Sequence, residues 1–162
     1  MPASVVRLNH AVLYVRDLDK SVDFYHRAFG FEQTGSLPGR AAFLRAAGGD
    51  NHHDLGLFTV GAQAPSPPRG STGLYHLAWQ VARIEDLREM AGTLVELDAL
   101  TGMSDHGATK SLYGQDPDGN EFEVMWMLPR EEWGRFEDEA VVLPLNLDRE
   151  IERWGGVVTA GA

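Results

Sequence analysis

Two histidines and one glutamate have the residue types and the spacing that could bind a catalytic metal ion. His10 and His76 occupy equivalent positions in two similar stretches, LNHAVLYV at residues 8–15 and LYHLAWQV at residues 74–81, which lie 66 positions apart. Glu123 lies in a later strand-like stretch. Two neutral imidazoles and one carboxylate form a facial ligand set with open coordination positions, which suits Fe(II), Mn(II) and other six-coordinate metals. The three residues therefore predict a metal site that leaves room for a substrate.

Composition excludes several other kinds of site. The chain of 162 residues contains no cysteine, so it has no disulfide, no zinc–thiolate centre and no cysteine nucleophile. Taken singly, His10, His76 and Glu123 could each be an ordinary polar residue of a strand. The equivalent positions of the two histidines in the repeat favour the metal site.

The repeat also organises the first half of the chain. The stretch around His10 predicts a strand, and an amphipathic helical pattern follows it at residues 19–29. Gly30 is expected to end that helix. Three more strands are predicted at residues 31–35, 40–46 and 53–60. Residues 6–60 are therefore predicted to form a βαβββ module.

A connector rich in proline, glycine and serine, residues 61–73, separates this module from a second one at residues 74–128. The second module is predicted to hold a helix at residues 84–97, a loop near Gly102 and Gly107, and strands at residues 109–115 and 121–127. Residues 129–162 form a tail outside the repeat.

The predicted fold class is α+β, a single domain over residues 1–162 made of two βαβββ modules. In each module the helix covers one face of a mixed sheet and leaves the other face bare. Two such modules placed edge to edge would form a curved sheet with a concave face, where a small ligand can bind. The tail contains Trp133, Phe136 and Trp154, which we expect to dock on the body or on a second subunit because large apolar groups are rarely left in water.

Strand alternation places two carboxylates on the concave face. Glu121 and Glu123 share one face of their strand, and Glu123, further into the strand, is expected to be the more buried. Phe122, Val124 and Trp126 point to the other face and suit packing under the helix.

The turn before this strand predicts a partner for Glu123. If Pro117-Asp118-Gly119 is a three-residue hairpin loop with glycine in the left-handed conformation, Asp116 pairs with Asn120. The same register places Tyr113 directly opposite Glu123, so the phenol is expected to face the metal. An ordinary aromatic cross-strand pair is the alternative explanation for Tyr113.

Charge argues against some partners. The chain has 24 acidic and 14 basic residues and a formal net charge of −10, which repels nucleic-acid phosphates and anionic lipid headgroups. We therefore expect no nucleic-acid partner and no membrane partner. The first residues lack the layout of a secretory signal, and no apolar run approaches the length of a membrane span, so a cytoplasmic protein is expected.

Three motifs resemble the vicinal-oxygen-chelate superfamily, which includes glyoxalase I, bleomycin-resistance proteins and extradiol dioxygenases. They are Asn9-His10, Gly73-Leu74-Tyr75-His76 and Asp116-Pro117-Asp118-Gly119-Asn120-Glu121-Phe122-Glu123, within residues 6–128. Ser104-Asp105-His106-Gly107 followed by Leu112-Tyr113 looks most like catechol 2,3-dioxygenases. The stretch His52-His53-Asp54-Leu55-Gly56-Leu57 is similar to the strand that carries their acid–base histidine.

The resemblance implies a role for each candidate residue. His10, His76 and Glu123 would be the metal ligands, with Fe(II) the expected metal and Mn(II), Zn(II), Ni(II) or Co(II) as alternatives. His53 would be the acid–base catalyst, while His106 and Tyr113 would contact the oxygens of the substrate. The implied partners are a small aromatic substrate and O2, and a homodimer is expected on the same ground.

Extradiol ring cleavage of a catechol-like aromatic is the function that these residues favour. A histidine with a pKa near neutrality can both take and return the protons of a catechol. His53 is expected to share its strand face with Leu55 and Leu57, which would form apolar walls, whereas His52 is expected to face the opposite way, toward solvent or the helix. A glyoxalase-like metal-dependent isomerase or lyase is the first alternative, although it needs no second set of histidines. A non-enzymatic small-molecule binding protein of the antibiotic-resistance type is the second, although it needs no metal ligands.

Overall fold

The chain folds into two compact units, each built on its own β-sheet. The computed structural model describes residues 3–68 and 70–159. The boundary between the units falls after Pro68, inside the predicted connector. In both units an α-helix packs on a mixed sheet, so the predicted α+β fold of repeated βαβββ modules is confirmed.

The first unit has a four-stranded sheet in the order β1-β4-β3-β2, in which β1 and β4 are parallel and the other neighbours are antiparallel. Its elements are β1 (Ala11–Val15), α1 (Leu18–Phe29), β2 (Glu32–Leu37), β3 (Ala41–Arg45) and β4 (Leu55–Thr59).

Local signals determine both ends of α1. The Asp17 side chain accepts a hydrogen bond from the backbone N–H of Lys20 at 3.1 Å, which caps the start of the helix. Gly30 ends it with φ of 65°, as predicted, because only glycine adopts this left-handed conformation without a steric cost. The helix buries Phe24 and Tyr25 against a sheet whose covered face carries other buried residues, among them Leu13, Val15, Leu55 and Leu57.

The second unit has a five-stranded sheet in the order β5-β8-β7-β6-β9, in which only β5 and β8 are parallel. Its strands are β5 (Leu77–Gln80), β6 (Leu100–Asp105), β7 (Thr109–Gln115), β8 (Glu121–Met127) and β9 (Leu143–Pro144). Its helices are α2 (Ile84–Glu96), α3 (Leu147–Trp154) and two short 3-10 helices, Arg130–Glu132 and Gly134–Glu137.

The predicted loop at Gly102 is wrong, because Gly102 lies inside β6. It pairs with Tyr113 of β7, next to a register shift between Leu100 and Gly102. The sequence of this strand, LTGMSD, shows little apolar alternation, and its position between two partner strands stabilises it instead. The predicted loop at Gly107 is confirmed, since β6 ends at Asp105 and β7 begins at Thr109.

Three predicted strands begin later than their sequence patterns suggest. The strand expected from residue 8 starts at Ala11, the one expected from residue 53 starts at Leu55, and the one expected from residue 74 starts at Leu77. In the first unit, the parallel pairing of β1 with β4 begins at Ala11 and Leu55, so the residues before them lie outside this pairing. His10, His53 and His76 therefore all lie just before a strand.

The predicted docking of the tail is confirmed within the second unit. Trp154 is buried, and its ring centroid lies 6.1 Å from that of Trp126. The Trp133 indole donates a hydrogen bond to the Leu128 carbonyl at 2.9 Å. Strand β9 adds to the sheet by pairing with β6 at Ser104 and Asp105.

Among residues 3–68 and 70–159, no helix is both long enough and apolar enough to cross a membrane.

Candidate metal and catalytic site

The second unit brings His76 and Glu123 together. His76 precedes β5, which pairs in parallel with β8 so that Ala78 lies beside Glu123. His76 Nε2 lies 3.1 Å from Glu123 Oε2, and His76 Nδ1 lies 3.8 Å from Glu121 Oε1. The Glu123 side chain is 13% exposed and that of Glu121 is 24% exposed, so the predicted difference in burial is confirmed.

This pair fits two ligands of one metal ion. Ligand atoms about 2.1 Å from a metal and at right angles to each other are roughly 3 Å apart, which matches the 3.1 Å between Nε2 and Oε2. The buried Nδ1 of His76 has no hydrogen-bond partner among the described residues. A metal-bound histidine usually donates its second ring N–H to a carboxylate, and Glu121 stands where such an acceptor is needed.

Tyr113 lies beside this pair, as the hairpin register predicts. The backbone N–H of Asp116 donates to the Asn120 carbonyl at 3.0 Å, Gly119 has φ of 84°, and Tyr113 pairs with Glu123 across β7 and β8. The Tyr113 ring centroid lies 5.8 Å from that of His76. Burial and then the Glu123 charge raise the pKa of the Tyr113 phenol, which keeps it protonated near neutral pH.

His106 completes the group in the second unit. It follows β6, and its Nε2 lies 2.8 Å from the Tyr113 hydroxyl. Its Nδ1 lies 2.8 Å from the carbonyl oxygen of Val141. The structure thus places four of the six predicted site residues, His76, His106, Tyr113 and Glu123, in one connected set of contacts.

In the first unit, His10 contacts His53. Their ring centroids are 4.5 Å apart. His10 is exposed, and its Nδ1 lies 2.9 Å from Asn9 Oδ1. Because an amide oxygen only accepts, Nδ1 carries the hydrogen and Nε2 keeps the lone pair that a metal ligand requires. His10 Nε2 therefore offers a lone pair that could ligate a metal ion.

The predicted strand face of His53 is wrong. Leu55 and Leu57 are fully buried in the core under α1, and the His53 ring instead lies 5.1 Å from that of Phe43, between centroids. Phe43 pairs with Gly56, so it faces away from the core. The alternation fails because His53 precedes the strand in a turn, where the Asn51 amide donates to the carbonyls of Asn9 and His53 at 2.7 and 2.9 Å.

His52 is exposed to solvent, as expected, but its ring turns back to contact His53. The two Nδ1 atoms lie 2.8 Å apart. Burial and then the neighbouring His10 and His52 lower the pKa of His53, while Asp54 opposes them. The His53 ring is therefore kept neutral to lower pH than an ordinary histidine, which suits a general base.

Comparison with known protein families shows which superfamily the chain is related to. The family model for the glyoxalase/bleomycin resistance protein/dioxygenase superfamily matches residues 7–124. The chain belongs to this superfamily. The resemblance read from the sequence motifs is thereby confirmed.

Several members of the superfamily with a dioxygenase name are similar in sequence. A catechol-2,3-dioxygenase of Bacillus subtilis (strain 168) is 33% identical over 79% of this chain and 44% of its own length. A manganese-dependent 2,3-dihydroxybiphenyl 1,2-dioxygenase of Geobacillus genomosp. 3 is 28% identical over 78% of this chain and 38% of its own length. The chain thus spans less than half of the length of these relatives.

Solved structures of the superfamily share the fold. A glyoxylase/bleomycin resistance protein/dioxygenase domain from Frankia sp. EAN1pec covers 82% of this chain and 99% of its own, with 22% identity and a TM-score of 0.66. A variant of the fosfomycin resistance protein FosX from Listeria monocytogenes, complexed with Mn(II) and 1S,2S-dihydroxypropylphosphonic acid, has 20% identity and a TM-score of 0.63, with coverage of 82% and 99%. Lactoylglutathione lyase from Agrobacterium tumefaciens has 26% identity and a TM-score of 0.56, with coverage of 78% and 96%.

Within each unit, the described residues bring together only part of the predicted site. No three histidine, aspartate or glutamate side chains converge there as a complete metal-binding group. Sequence reasoning missed the carboxylate of Glu121 beside His76, although strand alternation had already placed it on the right face. It also missed Asn51, whose position in an Asn-His-His-Asp turn was the available signal.

Proposed function

We propose that this chain is a metal-dependent extradiol-type dioxygenase, which opens the ring of a catechol-like aromatic with O2. The observation that carries the proposal is the pair His76 and Glu123 at 3.1 Å with the hydrogen-bonded Tyr113 and His106 beside it. A substrate with two adjacent hydroxyls requires side chains that bind a metal ion and side chains that bind a hydroxyl group. His76 and Glu123 would serve as the first pair, and Tyr113 and His106 as the second. The dioxygenase names of similar proteins agree with this proposal.

The proposed metal ligands are His76, Glu123 and His10. Fe(II) is the favoured metal, and Mn(II), Zn(II), Ni(II) or Co(II) suits the same nitrogen and oxygen donors. When bound, such an ion would supply Lewis-acid activation of the catechol oxygens and of O2. Glu121 would orient His76 from behind, and Asn9 would do the same for His10.

His53 is the proposed acid–base residue. Its Nδ1 is engaged with the Nδ1 of His52, so Nε2 is the atom that takes a proton from a catechol hydroxyl. The lowered pKa keeps the ring neutral at neutral pH, and Nε2 is free to take a proton in the tautomer in which Nδ1 donates to His52. The same atom can return the proton when the ring has opened. Phe43 beside His53 offers an aromatic wall for the substrate ring.

Tyr113 and His106 are the proposed contacts to the reacting oxygens. The raised pKa keeps the Tyr113 phenol neutral, so it makes hydrogen bonds and does not add a second negative charge beside Glu123. Its hydroxyl shares one hydrogen bond with His106, which holds the oxygen in a fixed direction. In this arrangement the Tyr113 oxygen can accept a hydrogen bond from a substrate hydroxyl, and the phenol becomes free to donate to an oxyanion when His106 gains a proton.

A metal-dependent isomerase or lyase is the second candidate. It is favoured by Glu121, which gives the His76 site more carboxylate character than two histidines and one glutamate alone. The fold similarity to lactoylglutathione lyase is compatible with it. Two further histidines, His53 and His106, favour the dioxygenase.

The test is anaerobic loading with Fe(II) or Mn(II), followed by assays with a panel of catechols in air and with hemithioacetals of glutathione. A yellow ring-opened product from a catechol is the expected result. Conversion of a hemithioacetal without any reaction of the catechols would move the assignment to an isomerase. Absence of metal binding would leave a small-molecule binding protein.

A further inference from the structure

The loop that carries His106 is covered by a segment of the tail, residues 136–143. The Phe136 ring lies so close to Gly107 that a Cβ atom on Gly107 would overlap Phe136 Cδ1. Two contacts flank this one. The Val141 carbonyl oxygen lies 2.8 Å from His106 Nδ1, and Leu143 pairs with Asp105 at the end of β6.

The backbone of the loop is also held by buried charges. Asp105 and Lys110 are 6% and 4% exposed and form an ion pair. The Gly107 N–H donates to Asp105 Oδ1 at 2.8 Å, and Lys110 Nζ donates to the Gly107 carbonyl at 3.1 Å. Glu150 of α3, 2% exposed, lies 3.7 Å from Lys110. These bonds fix the loop backbone but make no contact with the His106 ring, whose orientation depends on Val141 and Tyr113.

The contact with Val141 determines which ring nitrogen of His106 carries the hydrogen. A backbone carbonyl can only accept a hydrogen bond, so Nδ1 must be the donor. In a neutral imidazole the other nitrogen, Nε2, is then an acceptor. The Tyr113 hydroxyl at 2.8 Å must therefore donate to Nε2.

We propose that the tail segment 136–143 fixes His106 in the Nδ1–H tautomer through the Val141 carbonyl and thereby directs the Tyr113 hydroxyl hydrogen toward His106. Val141 and Phe136 are then positioning residues, which act on the site through His106. This inference deepens the proposed function and rests on it for its catalytic consequence. The tautomer itself depends only on contacts within the second unit.

The hydrogen-bond direction defines the kind of ligand group that Tyr113 accepts. With its hydrogen directed at His106, the phenol oxygen offers lone pairs and accepts a hydrogen bond from a ligand hydroxyl. A proton added to His106 Nε2 would reverse the bond and free the Tyr113 hydroxyl to donate to an oxyanion. The arrangement therefore suits a substrate that binds as a neutral hydroxyl compound.

The test is a long-range ¹H–¹⁵N correlation spectrum of the full chain without metal, which distinguishes the two tautomers of each of the six histidines. A His106→Gln variant assigns the signal. The wild-type protein is expected to show His106 as Nδ1–H, with a nuclear Overhauser effect from that hydrogen to Val141. An Nε2–H tautomer in the wild type would overturn the proposal.

Two variants should release the tail from the ring. Phe136→Ala removes the contact over Gly107, and Gly107→Ala both places a methyl group where the Phe136 ring lies and strains a backbone whose φ is 79°. Each is expected to lose the Overhauser effect and to populate both tautomers. The control is Val142→Ala, since Val142 is 75% exposed in the same segment and should leave the spectrum unchanged. An unchanged Nδ1–H signal in both folded variants would also overturn the proposal.

The catalytic consequence is measured separately on the metal-loaded enzyme. Phe136→Ala should lower kcat by about tenfold or more through misplacement of His106 while the metal content stays the same. An unchanged kcat together with a lost tautomer preference would remove the positioning role. If the wild type turns over no catechol, the proposed function fails, whereas the spectrum still decides the tautomer.

Discussion

His76 Nε2 lies 3.1 Å from Glu123 Oε2, although the two residues are 47 positions apart in the chain. Parallel pairing of β5 with β8 creates this contact, because it places the residue before β5 beside the first residues of β8. Both side chains belong to the second unit. The effect of substitutions at this pair on metal affinity can therefore be predicted from the contacts within that unit.

Loss of the His76 or the Glu123 side chain should abolish stoichiometric metal binding. Glu123→Ala removes the carboxylate donor, and anaerobic calorimetry with Fe(II) or Mn(II) is expected to show no tight site. Glu121→Gln should weaken binding by about 10- to 100-fold, because it removes only the carboxylate that orients His76. The control is Glu131→Gln, an exposed residue of the tail. Wild-type affinity in Glu123→Ala would contradict the ligand assignment.

His53→Ala should separate metal binding from catalysis. The variant is expected to keep its metal and to lose about 10²- to 10⁴-fold in kcat, the usual contribution of a general acid or base. Metal analysis and steady-state kinetics on the same sample measure both effects. Full turnover in this variant would remove the acid–base role of His53.

The pKa of His53 should lie below its ordinary value of 6.5 in the metal-free protein, because burial and the neighbouring imidazoles disfavour the charged ring. His10→Ala removes one of those neighbours and should raise the pKa toward 6.5. An NMR titration of the histidine ring signals measures both values. A pKa above 6.5 in the wild type, or no upward shift in His10→Ala, would contradict this explanation.

The same shift predicts a stability change with pH. Since the folded-state pKa is the lower one, the unfolded chain binds the proton more tightly. The contribution of His53 to the free energy of unfolding is therefore fully present above pH 6.5 and is lost as the pH falls from there through the folded-state pKa. Urea unfolding of wild type and His53→Ala across this range measures it, and the difference between them should shrink with falling pH.

Two glycines should respond oppositely to a methyl group. Gly114→Ala would place Cβ 2.5 Å from Phe122 Cζ and 2.8 Å from the Ala99 carbonyl, so we expect a loss of about 1–3 kcal/mol in the free energy of unfolding. Gly92, inside α2, has nothing within 4 Å of such a Cβ. Gly92→Ala should gain about 0.5–1 kcal/mol from helix propensity. Urea denaturation measures both, and equal stability of the two variants would contradict the packing around Gly114.

Features encoded in short stretches could be predicted from the sequence. The Pro117-Asp118-Gly119 turn requires a left-handed glycine, and this requirement determined the pairing of Tyr113 with Glu123. The end of α1 at Gly30 follows from the same conformational rule. In both cases a few neighbouring residues determine the geometry, so no knowledge of tertiary packing is needed.

Features that depend on distant contacts could not be predicted. The side chain of Asn51 bonds to the Asn9 carbonyl, 42 residues away, and the resulting turn moves His53 off the expected strand face. Strand β6 lies between β7 and β9, and β9 belongs to the tail. The contact of His106 with Val141 joins residues 35 positions apart. Alternation and propensity contain no information about such partners.

The central claim, ring cleavage of a catechol with O2, is tested most directly by an oxygen-electrode measurement on the Fe(II)-loaded protein with simultaneous absorbance recording. We expect one molecule of O2 to be consumed for each catechol converted, with a yellow product, and neither signal in Glu123→Ala. Full metal occupancy without oxygen consumption on any catechol of the panel would contradict the claim.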